Sequence, residues 1–186
     1  MDMKELKQTE KLNADTILIA EFNYASQNAF QANEDRVRIF NFVFANLLTL
    51  GASLLAPIFN LSISPTLFAL IFFILFIIGI LAIVQLIKLR SAWESSVRSM
   101  NHIKEFYVKN IPDLEKAFLW KTSTIPSRDG VFNISFIMAL ILMIINSFAF
   151  TAVLHFTLTI TPLFISIYSL ICFVLQLLTW FYILNK

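Results

Sequence analysis

Charge is what this chain has least of. Only 14% of its 186 residues are Asp, Glu, Lys or Arg, against about 25% in an ordinary soluble domain, and 58% are hydrophobic. The shortage is uneven: no formal charge falls between Ile39 and Ile87, a tract of 49 residues, or between Gly130 and Asn185, a tract of 56. One transmembrane helix needs roughly 20 apolar residues, so each tract has room for two helices and a turn. A soluble globular fold is excluded. The single cysteine, Cys172, rules out an intrachain disulfide and a Cys-x-x-Cys redox pair. Three glycines cannot supply a glycine-rich phosphate loop, and two histidines, one cysteine and no clustered acids fall short of a metal ligand set. A net charge of +2 gives no basic footprint for nucleic acid. Neither a metal, a cofactor nor a catalytic constellation is expected, and nothing in the residues points to an enzyme.

What is present is a plan of spans and breaks. Pro57 and Pro65 bracket a short uncharged connection, which sets the first two spans at about 39–57 and 65–87. In the second neutral tract the break falls near His155 to Pro162, giving spans at about 131–154 and 162–183. Both second members open with a hydroxyl residue before proline, Ser64-Pro65 and Thr161-Pro162, a sound helix start. The predicted fold class is therefore an all-α integral membrane protein with four transmembrane helices as two hairpins and a cytoplasmic helical stalk. Its parts are residues 1–38, an N-terminal amphipathic helix; 39–87, the first hairpin; 88–130, a helical segment and linker; and 131–186, the second hairpin.

Orientation follows from the cations. All 14 Lys and Arg fall on the side shared by the N-terminus, the middle block and the C-terminus, so the positive-inside rule makes that side cytoplasmic. A bacterial cytoplasmic (inner) membrane is the expected location. The first 16 residues lack the apolar core and small-residue cleavage site of a secretory signal, which leaves the first span as the insertion signal.

The cytoplasmic blocks read as helix. Leu18, Phe22, Ala25, Ala29 and Ala32 recur at steps of four and three, and Leu86, Leu89, Trp93, Val97, Met100 and Tyr107 continue a similar stripe beyond the second span. The two extensions leave the same hairpin, so their stripes are expected to face each other as an antiparallel stalk built from residues 14–38 and 88–121. A short helix is expected over Pro112–Lys121, with a linker from Thr122 to Gly130.

Polar side chains inside the spans are the most informative feature. Asn41, Ala45, Thr49, Ala52 and Ala56 fall at steps of four, four, three and four along span one, with Asn46 and Ser53 beside them. Small residues mark helix packing faces in lipid, where apolar burial alone gives helices no reason to associate. Span three offers Ser135, Ala139, Asn146 and Ala149, and span four Ser166, Ser169, Gln176 and Trp180. Counting the ~1.5 Å helical rise puts Asn46 level with Gln176, and Ser53 level with Asn146 and Ser169. These groups either bond the helices of one subunit together or, across several subunits, line a narrow pore. Buried and paired amides would favour the first account, and amides facing a lumen the second.

Other candidates weigh less. No intramembrane carboxylate, Lys or Arg is available for ion-coupled transport. Small multidrug exporters, which the chain resembles in having four short helices, depend on such a glutamate. His155 reads as an interfacial anchor, and Arg98 with His102 as a solvated helix face. Asn60-Leu61-Ser62 matches a glycosylation acceptor but lies close to the bilayer. A lipid-modifying enzyme would draw on Glu94, His102, Glu105, Asp113 and Asp129, which show no motif spacing.

The order of a cytoplasmic helix, a two-span hairpin and a second cytoplasmic helix resembles, over about the first 120 residues and on element order alone, two-pass effector domains of prokaryotic anti-phage systems. That resemblance implies membrane disruption on a trigger. The expected function is a non-enzymatic multi-pass module, oligomeric with copies of itself in the lipid bilayer, which forms a pore or relays a signal through its cytoplasmic helices. The alternative is an accessory or scaffold subunit whose stalk docks a cytosolic protein partner.

Overall fold

In the computed structural model the described residues are 3–53, 64–119, 121–125, 133–158 and 161–184, with side chains described from residue 14 onward except at 47, 48, 50, 52 and 53. Over these residues the chain is all-helical. Helix α1 spans Met3–Ser53, α2 Pro65–Asn110, α3 Ile134–Thr157 and α4 Pro162–Leu184. Helices α2, α3 and α4 are each long and apolar enough to cross a membrane. In α1 the described helix holds 15 residues from Ile39 to Ser53, too few for a spanning window on their own. Ala56, Pro57, the Asn60-Leu61-Ser62 turn and the end of the first predicted span lie outside the described residues.

The proline starts place two helix N-termini. At α2 the Ser64 carbonyl accepts from Leu67 and Phe68 backbone N–H groups at 3.0 and 3.2 Å, and at α4 the Thr161 carbonyl accepts from Phe164 and Ile165 at 3.1 and 3.4 Å. Proline at the first helical position gives up an N–H that has no partner there anyway. Helix α3 starts later than the neutral tract suggests, at Ile134 rather than Val131. The reason is local: Asn133 is extended, and its side chain accepts from the Phe136 N–H at 2.8 Å, satisfying one orphan donor of the first turn.

The chain divides into two compact units, one of residues 1–34 and 90–127 and the other of 35–89 and 128–186. Helices α1 and α2 each contribute to both.

In the second unit α2 and α3 run in opposite directions. Phe68 and Phe72 stack on Phe156, Phe76 tilts against Phe150, and further along Gly79 abuts Asn146. Beyond that point Ala82, Ile83, Leu86 and Ile87 join Ala139, Leu142 and Met143 in one buried cluster with Val43 of α1 and Trp180 and Leu184 of α4. Phe136 near the start of α3 meets Trp180 edge-on, with ring centroids 5.9 Å apart. Most other large apolar side chains of these helices point outward, among them Phe73, Ile74, Leu81, Phe148, Leu163, Leu170 and Leu178. An apolar exterior around a tightly packed interior is what lipid as solvent selects.

In the first unit the N-terminal half of α1 pairs with the C-terminal part of α2. Tyr107 donates from its hydroxyl to Asp15 Oδ1 at 3.2 Å, and Lys104 lies 5.9 Å from the centre of the Phe22 ring. Position 15 opposite 107 and 22 opposite 104 is an antiparallel register. After α2 the expected helix Pro112–Lys121 is replaced by a 3-10 turn over Pro112–Lys116 and a second one over Thr122–Thr124. The segment has no buried residue in either turn to anchor a longer helix, so short i→i+3 bonds suffice. Residues 126–132, including Asp129 and Gly130, lie outside the described residues.

Candidate functional site

The buried polar groups of α3 and α4 gather at one place. Asn146 is fully buried and donates from Nδ2 to Gln176 Oε1 at 3.0 Å. Gln176, also buried, donates from Nε2 to Ser147 Oγ at 3.3 Å, to the Cys172 carbonyl at 3.3 Å and to Cys172 Sγ at 3.2 Å. Ser169 donates to the Ser147 carbonyl at 3.2 Å, bridging the two helices a second time. Ser147 itself donates to the Met143 carbonyl at 2.8 Å. Asn146 Oδ1 is buried without a hydrogen-bond partner and faces Gly79 of α2, where any side chain would collide with it.

This is a three-helix polar contact: glycine lets α2 approach and Asn146 fills the space. Counting rise puts Gln176 level with Asn46, and Asn146 level with Ser53 and Ser169; in the structure Asn146 bonds Gln176. The count began at Val131. The helix begins three residues later, which brings Asn146 about 4–5 Å nearer that end and removes part of the offset from Gln176.

The polar face of α1 behaves differently. Asn41, Ala45, Asn46 and Thr49 are all exposed on the second unit. Asn46 donates to the Phe42 carbonyl at 2.6 Å and Thr49 to the Ala45 carbonyl at 2.9 Å, each four residues back on the same helix. The Ala52 and Ser53 side chains and all of Ala56 lie outside the described residues. Lower on α1, Arg36 is buried and donates from Nη1 to the buried Ser135 Oγ of α3, a tie that the sequence does not announce. Ser135 sits two residues after the Asn133 cap, where α3 starts beside that arginine.

In the first unit Ala25, Ala29 and Ala32 are buried, and Leu18, Phe22, Trp93, Val97, Met100 and Tyr107 are half-buried. Charged groups are drawn in with them. Glu94 is 1% exposed and bonds Arg98 Nη2 at 2.7 Å, while the Arg90 guanidinium, also buried, lies 4.7 Å from the Trp93 ring centre. Burial and then the Asp15 carboxylate push the Tyr107 hydroxyl above its ordinary 10.0. Lys121, bonded to Glu115 at 2.8 Å, holds that carboxyl below its ordinary 4.5.

Of the acids and histidines that a lipid-modifying enzyme would draw on, Asp129 lies outside the described residues and the others form no cluster of three. His102 and Asp113 are exposed, Glu105 accepts from Thr122 Oγ1, and His155 is exposed with its ring edge-on to Phe156. Among the described residues no three His, Cys, Asp or Glu groups sit close enough to hold a metal ion.

Over the described residues the fold is all-helical with three helices long and apolar enough to cross a membrane, which is consistent with an all-α membrane protein. No protein-family model, no curated protein and no solved structure matches the chain.

Proposed function

We propose that this chain is a non-enzymatic four-pass membrane module that assembles with copies of itself and forms a pore lined by the polar face of α1. In this reading the chain crosses four times, with the two neutral tracts as hairpins in a bacterial cytoplasmic membrane, and the positive-inside rule favours a cytoplasmic side for both ends and the first unit. The observation that carries this reading is a contrast. Asn146, Ser147 and Gln176 are buried in the α3–α4 contact, whereas Asn41, Ala45, Asn46 and Thr49 remain on the outside of the second unit. Small and polar groups on the outside of a membrane helix favour contact with another helix, or with water, over lipid. Several copies placing α1 inward would bring rings of Asn and Thr together around one axis, which is how a narrow aqueous path is built.

The test is a flux assay on purified chain in liposomes, with the subunit count measured in detergent. Wild-type protein is expected to be oligomeric and to release a small entrapped ion, and Asn46→Leu with Thr49→Val to abolish release. On a Cys172→Ala background, Asn46→Cys should react with a water-soluble thiol reagent and Gln176→Cys should not. A monomeric chain that leaves liposomes sealed would overturn the proposal.

A second reading, a scaffold that docks a cytosolic protein, rests on the first unit. Its surface shows Ile17, Tyr24 and Phe30 on α1 and Leu119 after α2, each more than 60% exposed. That reading expects sealed liposomes together with a stoichiometric soluble partner, bound in wild type and lost in Tyr24→Ser with Phe30→Ser.

A further inference from the structure

The segment after α2 folds back on that helix within the first unit and leaves a hollow of about 250 Å³, open on one side to solvent. One contact ties it to the helix, Thr122 Oγ1 donating to Glu105, and a second closes the segment on itself, Lys121 Nζ lying 2.8 Å from Glu115 Oε1. Phe118 covers one side, with Lys104 Nζ 5.9 Å from its ring centre. On the helix side, Asn101, Lys104 and Val108 fall at steps of three and four and so share one face, with Lys109 next to it.

Two features of the lining do not balance. Asn101 is 2% exposed, and its Nδ2 has no hydrogen-bond partner, although a buried amide donor is almost always bonded. The lysines outnumber the acids, and both acids are already engaged, Glu115 by Lys121 and Glu105 by Thr122. Among the described residues, Lys104 and Lys109 have no carboxylate partner. A buried donor and two uncommitted ammonium groups around one hollow lack a single thing: an acceptor carrying negative charge. Water would satisfy the amide and hydrate the two ammonium groups, but would leave their charge unneutralised. A carboxylate or phosphate oxygen satisfies both, and charge-assisted bonds of this type are the stronger ones.

We infer that this hollow binds a small molecule bearing a phosphate-type oxyanion, with the Asn101 amide and the Lys104 and Lys109 ammonium groups on the anion and Val108 and Phe118 against its apolar part. The phosphate can belong to a soluble compound or to a lipid headgroup, and the chemistry of recognition is the same. Because Phe118 and Lys121 come from the fold-back segment, occupancy ties that segment to α2.

The test uses the full chain in phosphatidylcholine nanodiscs at fixed ionic strength, read by hydrogen–deuterium exchange over residues 101–124. One arm adds inorganic pyrophosphate. The other replaces part of the phosphatidylcholine by phosphatidylglycerol. Saturable protection of this region is expected in one arm, and which arm identifies the source of the phosphate. Lys109→Gln changes an exposed side chain, leaves the fold intact, and should raise the concentration needed for half-protection at least tenfold. Asn101→Leu should remove protection altogether. Absence of protection in both arms, or protection that is unchanged in Lys104→Gln and Lys109→Gln, overturns the inference.

Discussion

Asn146 and Gln176 meet through a 3.0 Å hydrogen bond from Nδ2 to Oε1, with both side chains buried between α3 and α4. The bond is directional in its consequences. Gln176 has further partners in Ser147 and Cys172, whereas Asn146 has no second hydrogen bond and keeps a bare Oδ1. Gln176→Met, which holds volume nearly constant, would strip Asn146 of its one partner and leave the whole amide buried alone. A double-mutant cycle of Gln176→Met with Asn146→Ala, followed by unfolding in mixed micelles, should give a coupling of about 0.6–1.7 kcal/mol, the range found for interhelical hydrogen bonds in membranes. Strictly additive single effects would show that the two side chains do not interact.

Gly79 is required by its neighbour. A Cβ at that position would sit 2.6 Å from Asn146 Cγ, and the buried Asn146 has no free direction in which to retreat. Gly79→Ala is expected to destabilise the protein by about 1–3 kcal/mol, the usual cost of overpacking. Adding Asn146→Ala should recover most of that loss, since it removes the colliding atoms. Gly51 provides the comparison: nothing lies within 4 Å of a Cβ there, and Gly51→Ala should be neutral or stabilising by up to about 1 kcal/mol through helix propensity. Thermal unfolding of these three variants, with wild type and Asn146→Ala alone as references, in one detergent would decide it. Equal losses at Gly79 with and without Asn146 would rule out the contact.

Two groups of the first unit give opposite pH dependences. Glu115 titrates below its ordinary 4.5 because Lys121 bonds and attracts its ionised form. Its tie between the fold-back turns is fully present above about 4.5 and is lost as pH falls through the lowered folded value. Tyr107 titrates above 10.0, first through burial and then through its bond to Asp15 and the charge of that carboxylate. Its contribution is complete below about 10 and disappears as pH rises through the raised value. Lys121→Gln should move the Glu115 carboxyl midpoint upward in a carbon NMR titration. Asp15→Asn should lower the Tyr107 midpoint part of the way, since burial remains, as read by tyrosinate absorbance in a chain whose other three tyrosines are Phe. Unmoved midpoints would mean that neither pair forms in solution.

Much of the helix layout is written in where charge and proline fall. Pro65 and Pro162 start α2 and α4, and the alanines at 25, 29 and 32 lie on the buried side of α1. These are properties of one residue and its own helix, so local pattern suffices. What depended on a partner far along the chain did not show. Nothing in the neighbourhood of Gly79 indicates that the residue opposite it is Asn146, 67 positions later, and the Arg36–Ser135 tie joins residues 99 apart. Asn46 and Asn146 look alike as polar residues in apolar tracts, yet one bonds its own backbone and the other a neighbouring helix. The start of α3 depended on recognising Asn133 as a cap rather than on hydrophobicity. The hollow beside Asn101 arises only because Pro112–Thr124 turns back, and 3-10 turns leave little periodic signal.

On α1 the Asn46 and Thr49 side chains each return to a carbonyl of their own helix, as do Thr157, Ser166 and Thr179 elsewhere. A helix that bonds its own polar groups in this way lowers their cost in lipid without removing it, so a neighbouring helix or water is still favoured and the cost of separating again is small. Docking of one α1 on another would then be reversible, set by how many copies share a patch of membrane. Crowding rather than a covalent or conformational trigger would be the variable that a cell could turn.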